Sequence, residues 1–356
     1  MKIRKRAARH LALYLVATPL LGLLPMTAFA ASFAGAGTVT DPYQITTAAE
    51  LAEMATLVNA GTDADKHYIL MNDIDLSAYG SGTGWTPIGD DYGNPFSGTF
   101  DGDGHTISGL KIDDDARTYA GLFGSIDGGT VQNLGLTNVS VRAASTLGGL
   151  AGDVHNGSAI TGCYAIGAVT GHTYDYLGSP AGGDEIGGLI GHLRDSTAER
   201  CYATGTVEGD SYVGGLVGKL NIYVGTPVII GCVALNDRVT AHGAAWAADS
   251  SFGYEPFAGR VVGVLASGAD NSNMIDCHGY VDMAVVGDPC TDSSGTAYNT
   301  GGAAVPTAGL AALWPSLGFD TDPWDLSGGG LPLLAGMGGD SALPGYRALH
   351  HHSGPQ

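Results

Sequence analysis

Two stretches of the sequence gather side chains able to bind or cleave a sugar chain. The first carries His172, Tyr174, Asp175, Tyr176, Asp184 and Glu185, and the second carries His242, Trp246, Asp249, Phe252, Tyr254 and Glu255. Each opens after the same local pattern, Val169-Thr170-Gly171-His172 and Val239-Thr240-Ala241-His242, while only Gly209-Asp210-Ser211-Tyr212 stands at the matching position between them. Two walls and a floor are expected. Aromatic faces stack on sugar C–H groups and carboxylates accept hydroxyl hydrogen bonds, so His172, Tyr174, Tyr176, Tyr212, His242, Trp246, Phe252 and Tyr254 form the expected binding set. Carboxylates facing each other at roughly 5 to 9.5 Å would instead suit glycoside hydrolysis, with Asp175, Asp184, Glu185, Asp210, Asp249 and Glu255 as candidate acids and bases. In a third arrangement the rings bury the loops against the flank of the fold and the acids solvate them.

Other chemistries lack their residues. No His-Glu-x-x-His is present, so no zinc-peptidase helix is expected. Asp101-Gly-Asp-Gly104 and Asp113-Asp-Asp115 read as turns, because neither is completed by the later Glu of a calcium loop. No nucleophile elbow or phosphate loop occurs, and no metal or cofactor is expected. Fifteen basic against 35 acidic residues give a net charge of −20, without the basic footprint that nucleic acid requires. A lyase acting on uronates would need positive charge, and the two insertions offer almost none.

The elements that must position these residues are repeats. Ala120-Gly-Leu-Phe-Gly124, Gly148-Gly-Leu-Ala-Gly152, Gly187-Gly-Leu-Ile-Gly191, Gly214-Gly-Leu-Val-Gly218 and Gly259-Arg-Val-Val-Gly263 match one another. Each leads to Leu134, Cys163, Cys201, Cys232 or Cys277, which opens a β-rich stretch such as Cys201-Tyr-Ala-Thr-Gly-Thr-Val207. The closing glycines are 28, 39, 27 and 45 residues apart, so a unit of about 27 residues takes insertions in its second and fourth intervals. Three short β-prone runs per unit, with no amphipathic helix between them, cannot bury an apolar face alone, and stacking them buries a continuous core. The fold class expected is all-β, a right-handed parallel β-helix (solenoid) with a short N-terminal capping helix. Leu150, Leu189 and Leu216 should point inward, and the cysteines should form a ladder of free buried thiols. Thr46 or Thr47 should cap a helix from Ala48 to about Asn59, and Trp314, Phe319 and Trp324 should close the last coil.

The Gly-Gly-Leu-(Ala/Ile/Val)-Gly segments followed by Cys-Tyr-Ala-x-Gly-x-Val resemble the GLUG repeat of bacterial exported proteins. That repeat is found in adhesin-like surface proteins and beside the peptidase domain of IgA1-specific metallopeptidases. Tyr68–Ser77, Trp85–Gly89 and Phe96–Leu110 are similar to the segment that precedes such repeats, and 317–325 with 331–334 to their closing segment. The resemblance implies a surface or secreted binding module; a carbohydrate-active hydrolase on the same scaffold is the second reading and a passive spacer the third.

Residues 1–30 have the layout of a signal peptide: Lys2, Arg4, Lys5, Arg6 and Arg9, an apolar run from Leu11 to Met26, and the small-residue exit Ala28-Phe29-Ala30. The run is shorter than the roughly 20 residues of a spanning helix. The expected organisation is a signal peptide at 1–30, a linker and capping helix at 31–68, the β-helix at 69–334 with repeats over about 120–283, and a flexible tail at 335–356. An acidic, exported, monomeric protein is expected, with a glycan or host surface protein as its partner and no membrane insertion after cleavage.

Overall fold

Side chains alternate across a strand, and this decides which part of each repeat is buried. In Gly152-Asp-Val-His155, Gly191-His-Leu-Arg194 and Gly218-Lys-Leu-Asn221 the apolar residue, Val154, Leu193 or Leu220, is fully buried. The computed structural model describes residues 33–176, 179–225, 227–243, 256–266, 268–288, 301–319, 324–325 and 331–334. The strands Phe123–Asp127, Ala151–His155, Ile190–Arg194, Val217–Asn221 and Val262–Ala266 pair side by side, all parallel, in a five-stranded sheet.

Two larger sheets complete each repeat. Thr130–Gln132, Ala159–Thr161, Thr197–Glu199 and Val228–Ile230 are consecutive in an eight-stranded sheet. Gly135–Ala143, Tyr164–Gly171, Tyr202–Gly209 and Val233–Ala241 are consecutive in a ten-stranded one. Successive repeats visit the three sheets in the same order, and the protein is mostly β with parallel sheets and few helices. Leu150, Leu189 and Leu216 are fully buried and linked through their backbones, Leu150 N donating to Leu189 O (2.9 Å) and Leu189 N to Leu216 O (3.0 Å). The glycine two residues before each of the last two leucines is fixed by close approach: a Cβ at Gly187 or Gly214 would stand 1.9 Å from the carbonyl oxygen of Ile190 or Val217.

Just before these glycines the chain takes a left-handed corner at a residue that is not glycine. Thr146, Glu185 and Tyr212 have φ of 55°, 61° and 55°, and their neighbours Leu147, Ile186 and Val213 pair in successive repeats. Each such residue costs on the order of 1 kcal/mol or more, which glycine would avoid. The three side chains stand in one column on successive repeats.

Cys163, Cys201, Cys232 and Cys277 are free and buried, with Cys201 N donating to Cys232 Sγ at 3.3 Å. Burial pushes the Cys277 thiol up to about 12, so the reactive thiolate is suppressed at neutral pH. A thiol reagent should leave these four untouched in the native protein and titrate all of them in denaturant without reductant. Protection of all four under denaturing conditions would contradict the free ladder. Cys290 lies outside the described residues.

The helix Ala48–Asn59 starts at Thr47, whose hydroxyl accepts from Glu50 N (3.2 Å) while Glu50 Oε2 accepts from Thr47 N (2.9 Å), a reciprocal cap. Leu51, Met54, Ala55 and Val58 form its buried face. The C-terminal aromatics differ from expectation. Trp314, Phe319 and Trp324 lie 6.1, 6.3 and 5.9 Å from the ring of Tyr202, which itself stacks on Tyr164 at 4.8 Å. They cover the flank of the third and neighbouring repeats rather than the end of the last one. The reason is in the repeat: Tyr164 and Tyr202, which follow the inward Cys163 and Cys201, point outward, and two stacked rings need an apolar cover. Tyr202 Oη also donates to Pro332 O at 2.8 Å.

Candidate functional site

The two insertions leave the fold at one corner. His172 N donates to Ala143 O, Gly183 N to Ala144 O, Asp210 N to Gly183 O and His242 N to Gly209 O, so their roots lie in register with the one repeat that carries Asp210 between them. The first insertion folds as a hairpin, Thr173–Tyr176 against Ser179–Gly182, whose backbone carries Tyr174, Asp175 and Tyr176. Their side chains lie outside what is described, as do Trp246, Asp249, Phe252, Tyr254 and Glu255 of the second insertion.

Of the other sequence candidates, His172 and His242 are partly exposed. His172 Nε2 is 3.7 Å from Asp115 Oδ2, and His242 Nε2 is 2.7 Å from Glu208 Oε1. Asp184 is pushed up to about 6 by burial and by the charge of Glu185. Burial also raises Asp210 against the opposing charges of His242 and His172. Glu185 is different. Burial works against its charge, but a hydrogen bond and charge from His192, together with Lys219, bring it down to about 2. Adjacent carboxyls thus hold opposite protonation preferences.

Glu185 leads to a cluster that the insertions alone do not reveal. Its Oε1 accepts from Lys219 Nζ (2.7 Å), and its Oε2 accepts from Thr146 Oγ1 (3.1 Å) and lies 3.3 Å from His192 Nδ1. The same His192 nitrogen is 3.5 Å from Asp153 Oδ1. Asp153 is fully buried and accepts from Arg194 Nε (3.1 Å), Arg194 Nη2 (2.7 Å) and Tyr92 Oη (2.8 Å), while His155 Nδ1 approaches its Oδ2 to 2.8 Å. Arg194 Nη2 also donates to Tyr92 Oη. Burial opposes the Asp153 charge, yet His155, Arg194 and His192 hold the carboxyl below its ordinary range. Rings flank the cations: Arg194 lies 5.4 Å from the centroid of Tyr92, and Lys219 Nζ 5.4 Å from that of Tyr212. Tyr92 packs edge-on against Tyr119 at 4.9 Å, beside an open cavity of about 360 Å³ lined by Asp90, Asp91, Asp114, Arg117 and Tyr119.

Asp153, His192 and Lys219 are register partners on neighbouring strands, all on the outer side, because Val154, Leu193 and Leu220 take the inner one. They occupy the first position after each closing glycine, and His155, Arg194 and Asn221 the third. Sequence reasoning missed them. The available signal was a run of titratable residues at these two positions in consecutive repeats, in a chain with only 15 Lys and Arg. The expectation that almost no positive charge stands near the insertions is also corrected: Lys219 reaches Glu185 at the root of the first, and Arg194 joins through Asp153.

The raised Asp184 carboxyl makes stability depend on pH. Its folded pKa lies above the unfolded value near 4, so its protonated form contributes stability that is present below pH 4 and lost as pH rises through about 6. Asp184→Asn should therefore raise stability at pH 7.5 by about 1–2 kcal/mol and change it little at pH 4. Thermal melts at the two pH values check this; equal shifts at both would deny the buried acid its role.

No family model matches the chain. Two curated proteins align with part of it: "Halomucin" of Haloquadratum walsbyi is 36% identical over 173 residues, 46% of this chain and 2% of that protein. A "Putative Gly-rich membrane protein" of Evansella cellulosilytica is 37% identical over 148 residues, 40% of this chain and 14% of that one. The chain thus spans a small part of the length of both relatives. A crystal structure from Bacteroides ovatus, described as a "putative immunoglobulin A1 protease", superposes with a TM-score of 0.57 at 21% identity, covering 84% of this chain and 94% of that one. At that identity the likeness concerns the fold. No helix among the described residues is long and apolar enough to cross a membrane.

Proposed function

We propose that the protein is a surface-associated or secreted binding module, adhesin-like, built as a right-handed parallel β-helix of GLUG-type repeats, and that it recognises a glycan. The ordered visiting of three parallel sheets supports the architecture, and the names of the partial relatives are compatible with a surface setting. The single observation that carries the function is the convergence of Tyr92, Tyr119 and Tyr212 with Asp153, Glu185, Arg194 and Lys219 on one outer face, beside the corner from which both insertions leave. Rings offer stacking faces, and fixed charges offer donors and acceptors to hydroxyls. The insertions at 172–185 and 242–256 would wall this floor.

A second reading, hydrolysis, draws on one observation: Asp184, a carboxyl that stays protonated toward pH 6, sits next to the ionised Glu185. Asp153 and Glu185 themselves are held ionised and so are unsuited to donate a proton. A glycan array with the purified protein tests binding, and a reducing-sugar assay on each hit separates the readings. In the binding module Asp184→Asn alters affinity modestly and no sugar is released; in a hydrolase it abolishes turnover with binding kept. Absence of any glycan ligand would leave the spacer reading.

A further inference from the structure

We infer that His192, Arg194, Lys219 and Asn221 form a subsite for an anionic sugar unit, one bearing a carboxylate or sulfate; this rests on the glycan reading and narrows it. The four residues make a square on two adjacent parallel strands, His192 opposite Lys219 and Arg194 opposite Asn221. All four point to the outer side, since Leu193 and Leu220 between them are in the core.

The layering of charge in this square sets the ligand class. The acids that hold the two cations lie beneath them: Asp153 is 0% exposed under Arg194 at 21%, and Glu185 is 14% exposed under Lys219 at 21%. An approaching ligand meets the guanidinium and ammonium first. Arg194 spends Nε and Nη2 on Asp153, which leaves Nη1 for another acceptor, and an ammonium has three donors of which Glu185 takes one. In a chain of net charge −20, this pair of cations balances the two acids beneath it and leaves a locally neutral patch with its positive groups outermost.

A second observation points the same way. His192 Nε2 and Asn221 Oδ1 are buried and have no hydrogen-bond partner among the described residues. His192 is 8% exposed and Asn221 1%. Buried polar atoms left unpaired are costly, and native proteins retain few of them without use. One ring nitrogen and one amide oxygen beside two cations match the hydroxyls that flank the acidic group of a sugar.

The test pairs polymers of one backbone that differ in charge: dextran against dextran sulfate, and methyl-esterified against free oligogalacturonate. Titration at low salt should show about tenfold or greater preference for an anionic member, weakening as salt rises. The two pairs distinguish sulfate from carboxylate as the group bound. Lys219→Met should remove the preference. Because it leaves Glu185 without its ammonium, Asn221→Asp serves as a second variant; it keeps side-chain size, sets a carboxylate at the register position opposite Arg194, and should also remove the preference. Equal affinity for charged and neutral members would overturn the inference while leaving the glycan reading in place. Anionic preference that survives both variants would overturn it too, and failure of every glycan to bind would overturn both.

Discussion

Leu189→Asp is expected to abolish cooperative folding. Leu189 is fully buried between Leu150 and Leu216, to which its backbone is hydrogen-bonded, so an aspartate there meets apolar side chains and no donor. Burying a carboxylate without a partner costs several kcal/mol even after it takes up a proton, a large part of the 5–15 kcal/mol that holds a typical domain together. Repeats that contact only their neighbours also lose the interfaces on both sides of a failed unit. Leu189→Met, which nearly conserves volume, should cost less than about 1.5 kcal/mol and serves as the control. Circular dichroism melts of the two variants decide the matter. A soluble Leu189→Asp protein with unchanged melting would place Leu189 on the surface and break the register of the whole stack.

The second large effect belongs to Asp153. Removing it by Asp153→Ala leaves Arg194, His155 and Tyr92 facing a space with no acceptor, and loss of one partner of a buried pair costs about 3–5 kcal/mol. Arg194 is partly exposed and can turn toward water, which places the expected loss near the lower end. Asp153→Asn keeps an acceptor oxygen and should lose less. Urea unfolding measures both, and a change below about 0.5 kcal/mol for the alanine variant would show that the cluster is a solvated face rather than a built site. Acid adds an independent check. Glu185 has its folded pKa lowered to about 2, so its contribution is present above about pH 4.5 and lost as pH falls toward that value, and Asp153, also lowered, acts in the same direction. The wild-type protein should lose more stability over that interval than the Asp153→Ala variant.

Much of the fold is legible in the sequence because each repeat states its own geometry. The paired glycines mark where backbones nearly touch, the leucine marks the interior, and the cysteine opens the next long strand. Thr47 and Glu50 announce the helix by their spacing. The C-terminal aromatics are harder: that Trp314, Phe319 and Trp324 need apolar company is plain, but the company, Tyr164 and Tyr202, becomes visible only once the residue after each repeat cysteine is known to face outward.

The site divides along the same line. Glu185, Asp210 and Tyr212 could be set at the corner from the insertion pattern alone. Asp153, His192 and Lys219 read as an ordinary solvated face, since outward strand positions are usually polar. What converts that face into a buried cluster is the 89–95 loop, which lies outside the repeats. Ile88 and Phe96 bridge to Phe123 and Ile126, and the loop between them carries Tyr92 onto Asp153. Nothing in the spacing of the repeats announces that contact.

The affinity of Tyr92→Ala and Tyr212→Asn proteins for a glycan identified on the array tests the central claim most directly. Asparagine tolerates the left-handed backbone at 212, so the second variant removes the ring without adding strain. Each ring should contribute about 1–2 kcal/mol, so each variant should bind roughly 5- to 30-fold more weakly than the wild type while melting within a few degrees of it. Wild-type affinity in both variants would contradict the account and move the binding surface away from the five-stranded sheet.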